Sequence, residues 1–368
     1  MKDKSFFIVL ILFFLGIFFM PINSPVFQES LFSAFYLLHD YARLHFLTCL
    51  VPAMFIAGAI SIFVKKDVVL KYLGSESSKL YSYSIASVSG SILAVCSCTI
   101  LPLFASIRKR GAGLGPAITF LFSGPAINIA AIFLTFSVLG FDIGLARVIS
   151  AVGLSIIVGL SMALIFRERS EGGKLYLEES AQVSVSSKIL SMFFLSLIMI
   201  LVVNGLSIGL PLKYTLTGIL VLIVALIVIF KFSKETSKSW LNETWHFAKM
   251  LIPLLFIGVF IAGFIMPLLP QHLIEQIVGK NNLLGNLIAS VFGAFMYFST
   301  LTEIPILQAL ISKGMAKGPA LALLLAGPSL SLPNMLVIRR VLGSKRTIVY
   351  VILVVIYSTI AGFIFGIL

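Results

Sequence analysis

Cys96 and Cys98 stand two residues apart, with Ser97 between them and Thr99 after, in a stretch that is otherwise largely apolar, AVCSCTILPLFASIRKRG. On a regular helix that spacing sends the thiols to different faces; in a turn they can converge. Two thiolates suit a soft centre such as trivalent arsenic, Cu(I) or another thiophilic metal, so the pair is a candidate soft-metalloid site. Exposed backbone N–H groups or a cationic ligand would favour the thiolate form. Packing is the competing reading, since free cysteine is commonly buried and inert. A second long apolar run carries Glu303. Desolvation penalises its charge, which suits a proton carrier or a gate whose charge changes during a cycle. The alternative is a structural partner for a backbone N–H or a basic side chain. Uncharged polar groups accompany both: Thr300 and Thr302 before Glu303, Asn128 after one Gly-Pro pair, and Ser329, Ser331 and Asn334 after another.

The elements that must position these groups are membrane helices. With 368 residues, 59% hydrophobic, 11% charged and a mean hydropathy of +1.11, the chain carries too much apolar surface for a soluble domain. Runs of about 20 apolar residues, enough to cross the hydrocarbon as helix, recur along it. Strand-like alternation is absent, which disfavours a β-barrel. The net charge of +13 reads as Lys and Arg held on the cytoplasmic side rather than as a nucleic-acid surface. Three cysteines are too few for a disulfide framework. No phosphate-cradling Gly-rich loop and no His/Glu set of an intramembrane protease occurs, so neither ATP hydrolysis nor intramembrane proteolysis is expected; no enzyme activity and no cofactor are called for. The basic, then apolar N-terminus lacks a small-residue cleavage site in PINSPVFQES and reads as a retained first span. His39, Asp40, Arg43 and His45 read as a solvated interfacial helix rather than a metal site. Trp240 and Trp245 read as interface anchors.

Apolar segments lie near 6–22, 46–64, 82–107, 114–139, 144–166, 189–210, 214–230, 247–268, 284–311, 318–338 and 348–367. Sliding the sequence by 203 residues lays GSILAVCSCTILPLFASIRKRGAGLGPAITFLFSGPAIN on GAFMYFSTLTEIPILQALISKGMAKGPALALLLAGPSLS without a gap. Gly90, Pro102, Gly111, Gly115, Pro116, Gly124 and Pro125 meet Gly293, Pro305, Gly314, Gly318, Pro319, Gly327 and Pro328. Gly and Pro dictate backbone shape, so their coincidence implies one fold used twice. If every segment crosses, Lys and Arg show no side preference. If 82–107 and 284–311 instead enter and leave on one side, 21 fall inside and 6 outside. The second arrangement is expected, and it makes the repeats inverted, the recurrent plan of secondary transporters.

The expected fold is an all-α polytopic membrane protein of two inverted repeats, with about nine full spans and two hairpins. An N-terminal span and interfacial segment (1–45) precedes the first repeat (46–166), which holds hairpin 82–107 and broken helix 114–139. A cytoplasmic linker (167–188) and two connecting spans (189–245) lead to the second repeat (246–368), with hairpin 284–311 and broken helix 318–338. The hairpin tips are expected at Cys96–Thr99 and Ser299–Glu303, with Pro102 and Pro305 restarting the chain. The breaks are expected at Gly124-Pro125 and Gly327-Pro328. Backbone freed there must face protein or a watery cavity.

At CSCTILPL, RGAGLGPAITFLFSGPAINIAAI, TEIPILQALISKG and LLLAGPSLSLPNMLVIRRVLG the chain resembles the ArsP-type permease family. The resemblance spans about Arg43 to the C-terminus and implies an inner-membrane, multi-pass permease, its N-terminus cytoplasmic on the charge argument. Members include exporters of trivalent organoarsenicals. It implies a thiol tip at Cys96, Ser97 and Cys98, a break at Gly124, Pro125 and Asn128, an acidic tip at Thr302-Glu303, and a second break at Gly327, Pro328 and Ser329. In that family a cysteine often precedes the second acidic motif; Ser299 to Leu301 supply none, which disfavours a three-thiol site. The function implied is efflux of a small thiophilic or organometalloid compound by alternating access, driven by an ion gradient and by protons through Glu303. The partners are then that solute, protons and the lipid bilayer, and a homo-oligomer is compatible with this. The alternatives are a permease for a metal ion or a sulfur-containing anion, and a thiol oxidoreductase cycling Cys96 and Cys98, which disulfide ring strain disfavours.

Overall fold

The structure is a computed structural model that describes residues 14, 18–19, 21–64, 66–74, 77–92, 97–127, 129–167, 186–205, 209–268, 277–296 and 303–368. Among these there is helix and no strand. α1 (Pro25–Tyr41) continues through a π-helical stretch (Ala42–Leu50) into α2 (Val51–Phe63). The short α3 (Lys66–Leu73) follows, then α4 (Lys79–Ile92) and α5 (Ser97–Lys109). α6 (Leu114–Ala126) and α7 (Ile129–Val138) form a bent pair before α8 (Phe141–Ile165). α9 (Ser187–Gly205) and α10 (Leu210–Lys231) lead to α11 (Lys234–Ile265). The second set is α12 (Leu283–Phe295), α13 (Glu303–Ser312), the bent pair α14 (Lys317–Leu330) and α15 (Leu332–Leu342), and α16 (Ser344–Phe365).

The exterior is what a bilayer requires. On α16, Ile348, Ile352, Ile356, Ile360 and Ile364 are exposed at a helical spacing of four, an apolar stripe with no core to cover it. Inside, all of α6 is buried, and so is α14 from Gly318 to Leu330. Helices apolar all round belong at the centre of a bundle, which shields their breaks from lipid. Among the described residues, five helices are long and apolar enough to span, or up to eight if each bent pair is one span. The expected first span, 6–22, falls almost wholly outside the described residues.

The duplication is written in the backbone. The positive-φ glycines among the described residues are Gly111 and Gly314, at 96° and 103°, and Gly140 and Gly343, at 96° and 84°: two pairs, each 203 residues apart. Each ends a helix where a side chain would be strained. The turns around the first pair match bond for bond, with Ala112 N donating to Ile107 O and Met315 N to Leu310 O. Helix crossings repeat too. A methyl on Gly159 of α8 would stand 2.7 Å from the Gly115 carbonyl oxygen of α6, and one on Gly362 of α16 would stand 2.6 Å from the Gly318 oxygen of α14. The halves also exchange parts: α13 packs on α7 of the other copy, and α5 packs on α15. With α6 against α14 and α8 against α16, this is a two-fold arrangement.

Several local expectations shift. Ser97, Cys98 and Thr99 belong to the first turn of α5, not to the hairpin turn, and Pro102 lies inside that helix rather than restarting it. A proline costs a helix one hydrogen bond, which buried neighbours can offset. Gly124 and Pro125 also remain helical; the first bend, 46°, falls after them, between Ala126 and Ala131. Gly327 and Pro328 likewise lie within α14, and the 48° bend falls at Ser331, whose φ of 26° is the one positive value outside glycine among the described residues. Pro305 falls in the first turn of α13, where its missing N–H has no partner to lose. Trp240 is no interface anchor: it is buried, and its Nε1 donates to Phe55 O at 2.9 Å. Trp245 is exposed. The polar stretch before residue 247 is the first part of α11, and His39, Asp40 and Arg43 lie on α1 and the π-helical stretch that continues it.

Candidate functional site

Glu303 opens α13 and is completely buried. Its Oε1 accepts from Nη2 of Arg147 at 2.8 Å, and both side chains are 0% exposed. Arg147 lies on α8, in the first copy, so the pair joins the two halves across 156 residues of sequence. The arginine is tied down twice more within its own copy: Nη1 donates to Thr135 Oγ1 of α7 at 2.9 Å, and Nε to the Ala126 carbonyl at 3.3 Å. Ala126 is the last residue of α6, where carbonyls lose their helical partners. A cation there also complements the negative end of the helix dipole. One guanidinium thus holds the end of α6, the half-helix beyond the first break and the opening residue of α13.

The second copy fills the equivalent position differently. Tyr350, 203 residues after Arg147, is buried and donates its hydroxyl to the Ser329 carbonyl at 3.2 Å, and Ser329 is the counterpart of Ala126. Both breaks are therefore capped from the neighbouring long helix, one by a charged donor and one by a neutral one. Around the second break, buried polar atoms gather without partners among the described residues: Ser329 Oγ, Ser331 Oγ and Asn334 Oδ1, together with Glu303 Oε2. Buried polar groups are nearly always satisfied, so these atoms are open to partners beyond the described residues. A methyl on Gly327 would lie 3.8 Å from Glu303 Oε2, so that oxygen looks onto the backbone of the second break.

Of the expected site residues, the structure brings together Glu303 and the two breaks. Thr99 is buried in α5, which packs on α15. Cys96, Asn128, Thr300 and Thr302 lie outside the described residues, and of Ser97 and Cys98 only the helical backbone is described. Among the described residues no three His, Cys, Asp or Glu side chains gather as a metal site. A groove of about 830 Å³ between α8, α14 and α16 is lined mostly by apolar side chains and includes none of the expected residues. Arg147 is the residue that sequence reasoning missed, because it was counted among the outside charges at the end of a span. Its signal was an arginine 203 residues before a tyrosine in a duplicated frame.

Residues 31–367 match a family described as ArsP_1, predicted permease. The chain belongs to the ArsP_1 family. This ArsP_1 chain is 47% identical over 342 residues to UPF0718 protein MJ0584 of Methanocaldococcus jannaschii, covering 89% of the chain and 94% of the relative. It is 21% identical over 309 residues to UPF0718 protein YraQ of Escherichia coli, covering 83% and 74%. No solved structure matches it. Family, composition and apolar helices together make it a multi-pass membrane protein of a permease family, which points to a transporter rather than an enzyme.

Proposed function

We propose that this protein is a secondary-active permease of the inner membrane that exports a small thiophilic or organometalloid solute, a trivalent organoarsenical before others, by alternating access. The observation that carries the transport reading is the exchange of parts between copies. Each hairpin's second arm lies on the other copy's post-break half-helix, α13 on α7 and α5 on α15, and unsatisfied polar atoms surround the second break. Broken helices meeting at a repeat interface are where such transporters hold their solutes. Alternating access then moves one hairpin-and-half-helix unit against the other.

Charge supports repeats of inverted topology and a cytoplasmic N-terminus. With Arg147 buried at the repeat interface rather than outside, the bias toward the inner side becomes steeper than the 21 to 6 read from sequence. The solute class rests on Cys96 and Cys98. An alkyl or aryl arsenic(III) centre has one valence filled by carbon and two open to thiolates, so two cysteines are the matching number. Cys96→Ser or Cys98→Ser should abolish resistance to methylarsenite in a sensitive bacterial host while leaving membrane abundance unchanged. Full resistance in either variant would remove the thiols from the mechanism. A sulfur-containing anion is the second reading, favoured by the buried guanidinium of Arg147.

A further inference from the structure

The ion pair between Arg147 and Glu303 is unequal in a way that a purely structural pair would not be. A buried pair stabilises a fold when its geometry is excellent and the remaining lone pairs are bonded. Here the carboxylate is held end-on by one oxygen, and Oε2 has no partner among the described residues. A guanidinium offers five N–H donors and favours two parallel bonds to a carboxylate. Arg147 instead spends two of its contacts on its own copy, at Thr135 Oγ1 and Ala126 O. The cation is therefore fixed to the end of α6 and to α7, whereas the carboxylate, arriving from the other copy, is attached at a single point.

We infer that Arg147 is an anion-binding site of this protein, that Glu303 occupies it in the state seen here, and that a carboxylate or oxyanion exchanges with Glu303. When α13 moves relative to α8, a desolvated guanidinium left without a counter-charge would be costly, so the anion that enters takes the place of Glu303. There is one such site per chain, because the symmetry-equivalent residue is the neutral Tyr350. The inference depends on the permease reading only for the idea that the halves move, and it makes no use of the cysteines.

Binding to the purified full-length protein tests it apart from transport. Glu303→Gln keeps the shape of the side chain and removes its charge. Acetate stands in for the side-chain carboxylate and sulfate for an oxyanion, each titrated at constant ionic strength against chloride. The unfolding midpoint of Glu303→Gln should rise saturably with acetate or sulfate, at concentrations at least tenfold below those that affect the unaltered protein. The double variant Arg147→Gln/Glu303→Gln should not respond. An equal response in single and double variants, or none in the single, overturns the proposal. If Glu303→Gln cannot be purified in chloride, recovery of monodisperse protein in acetate or sulfate supports it. Recovery of only the double variant, whatever the anion, overturns it. Loss of arsenical resistance in the cysteine variants bears on the solute reading alone, so the two can fail separately.

Discussion

Arg147 and Glu303 are each intolerable without the other. Removing one charge from a buried pair leaves its partner uncompensated, which costs about 3–5 kcal/mol, whereas replacing both with apolar residues is often neutral or stabilising. Arg147→Gln alone should therefore lower the unfolding midpoint in detergent sharply. Arg147→Met/Glu303→Leu should recover most of that loss and yet fail to transport. A double-mutant cycle measures the coupling. If the double variant transports normally, the pair is scaffold. The glutamate was legible in the sequence because a carboxylate in mid-span must face a cavity or a partner. Its partner was not, since an arginine seven residues into α8 reads as a charge snorkelling toward the interface. The contact across 156 residues exposes it.

At the level of elements, the helix crossings are the features most open to test. On α8, a methyl at Gly159 would press on the Gly115 carbonyl of α6 at 2.7 Å, and backbone cannot rotate away. Gly153, on the same helix, has nothing within 4 Å of such a methyl. Gly159→Ala should cost about 1–3 kcal/mol as an overpacked contact. Gly153→Ala should be neutral or slightly stabilising, since alanine is the better helix former. Equal stability of the two variants, measured by thermal unfolding, would mean that α6 and α8 do not cross this closely. The helices and their pairing at a shift of 203 were readable because Gly and Pro constrain backbone directly. Where each bend falls was less so: Pro102, Pro125 and Pro328 lie inside helices whose buried surroundings accept a missing bond, and the chain turns a few residues away.

For the molecule as a whole, the orientation of the two copies decides how it opens. Arg108 lies in the last turn of α5 and Lys313 directly after α13. With thiols placed at Arg108→Cys or Lys313→Cys in a background without native cysteines, an impermeant maleimide should label 108 only after the membrane is opened from the cytoplasmic side. It should label 313 in intact cells. Labelling of both from one side would make the copies parallel rather than inverted. Composition alone identified the membrane, and charge distribution suggested the handedness of the plan, but how the halves interlock depends on contacts that no periodicity encodes.

The difference between Arg147 and Tyr350 makes the two halves unlike in charge at their shared interior. Two copies of the first half, joined head to head, would confront two guanidiniums with no acid, because Ile100 stands where Glu303 stands in the other half. Two copies of the second would bury two carboxylates beside neutral tyrosines. Neither homodimer could neutralise its own interior, so each half depends on its unlike neighbour for the charge it buries.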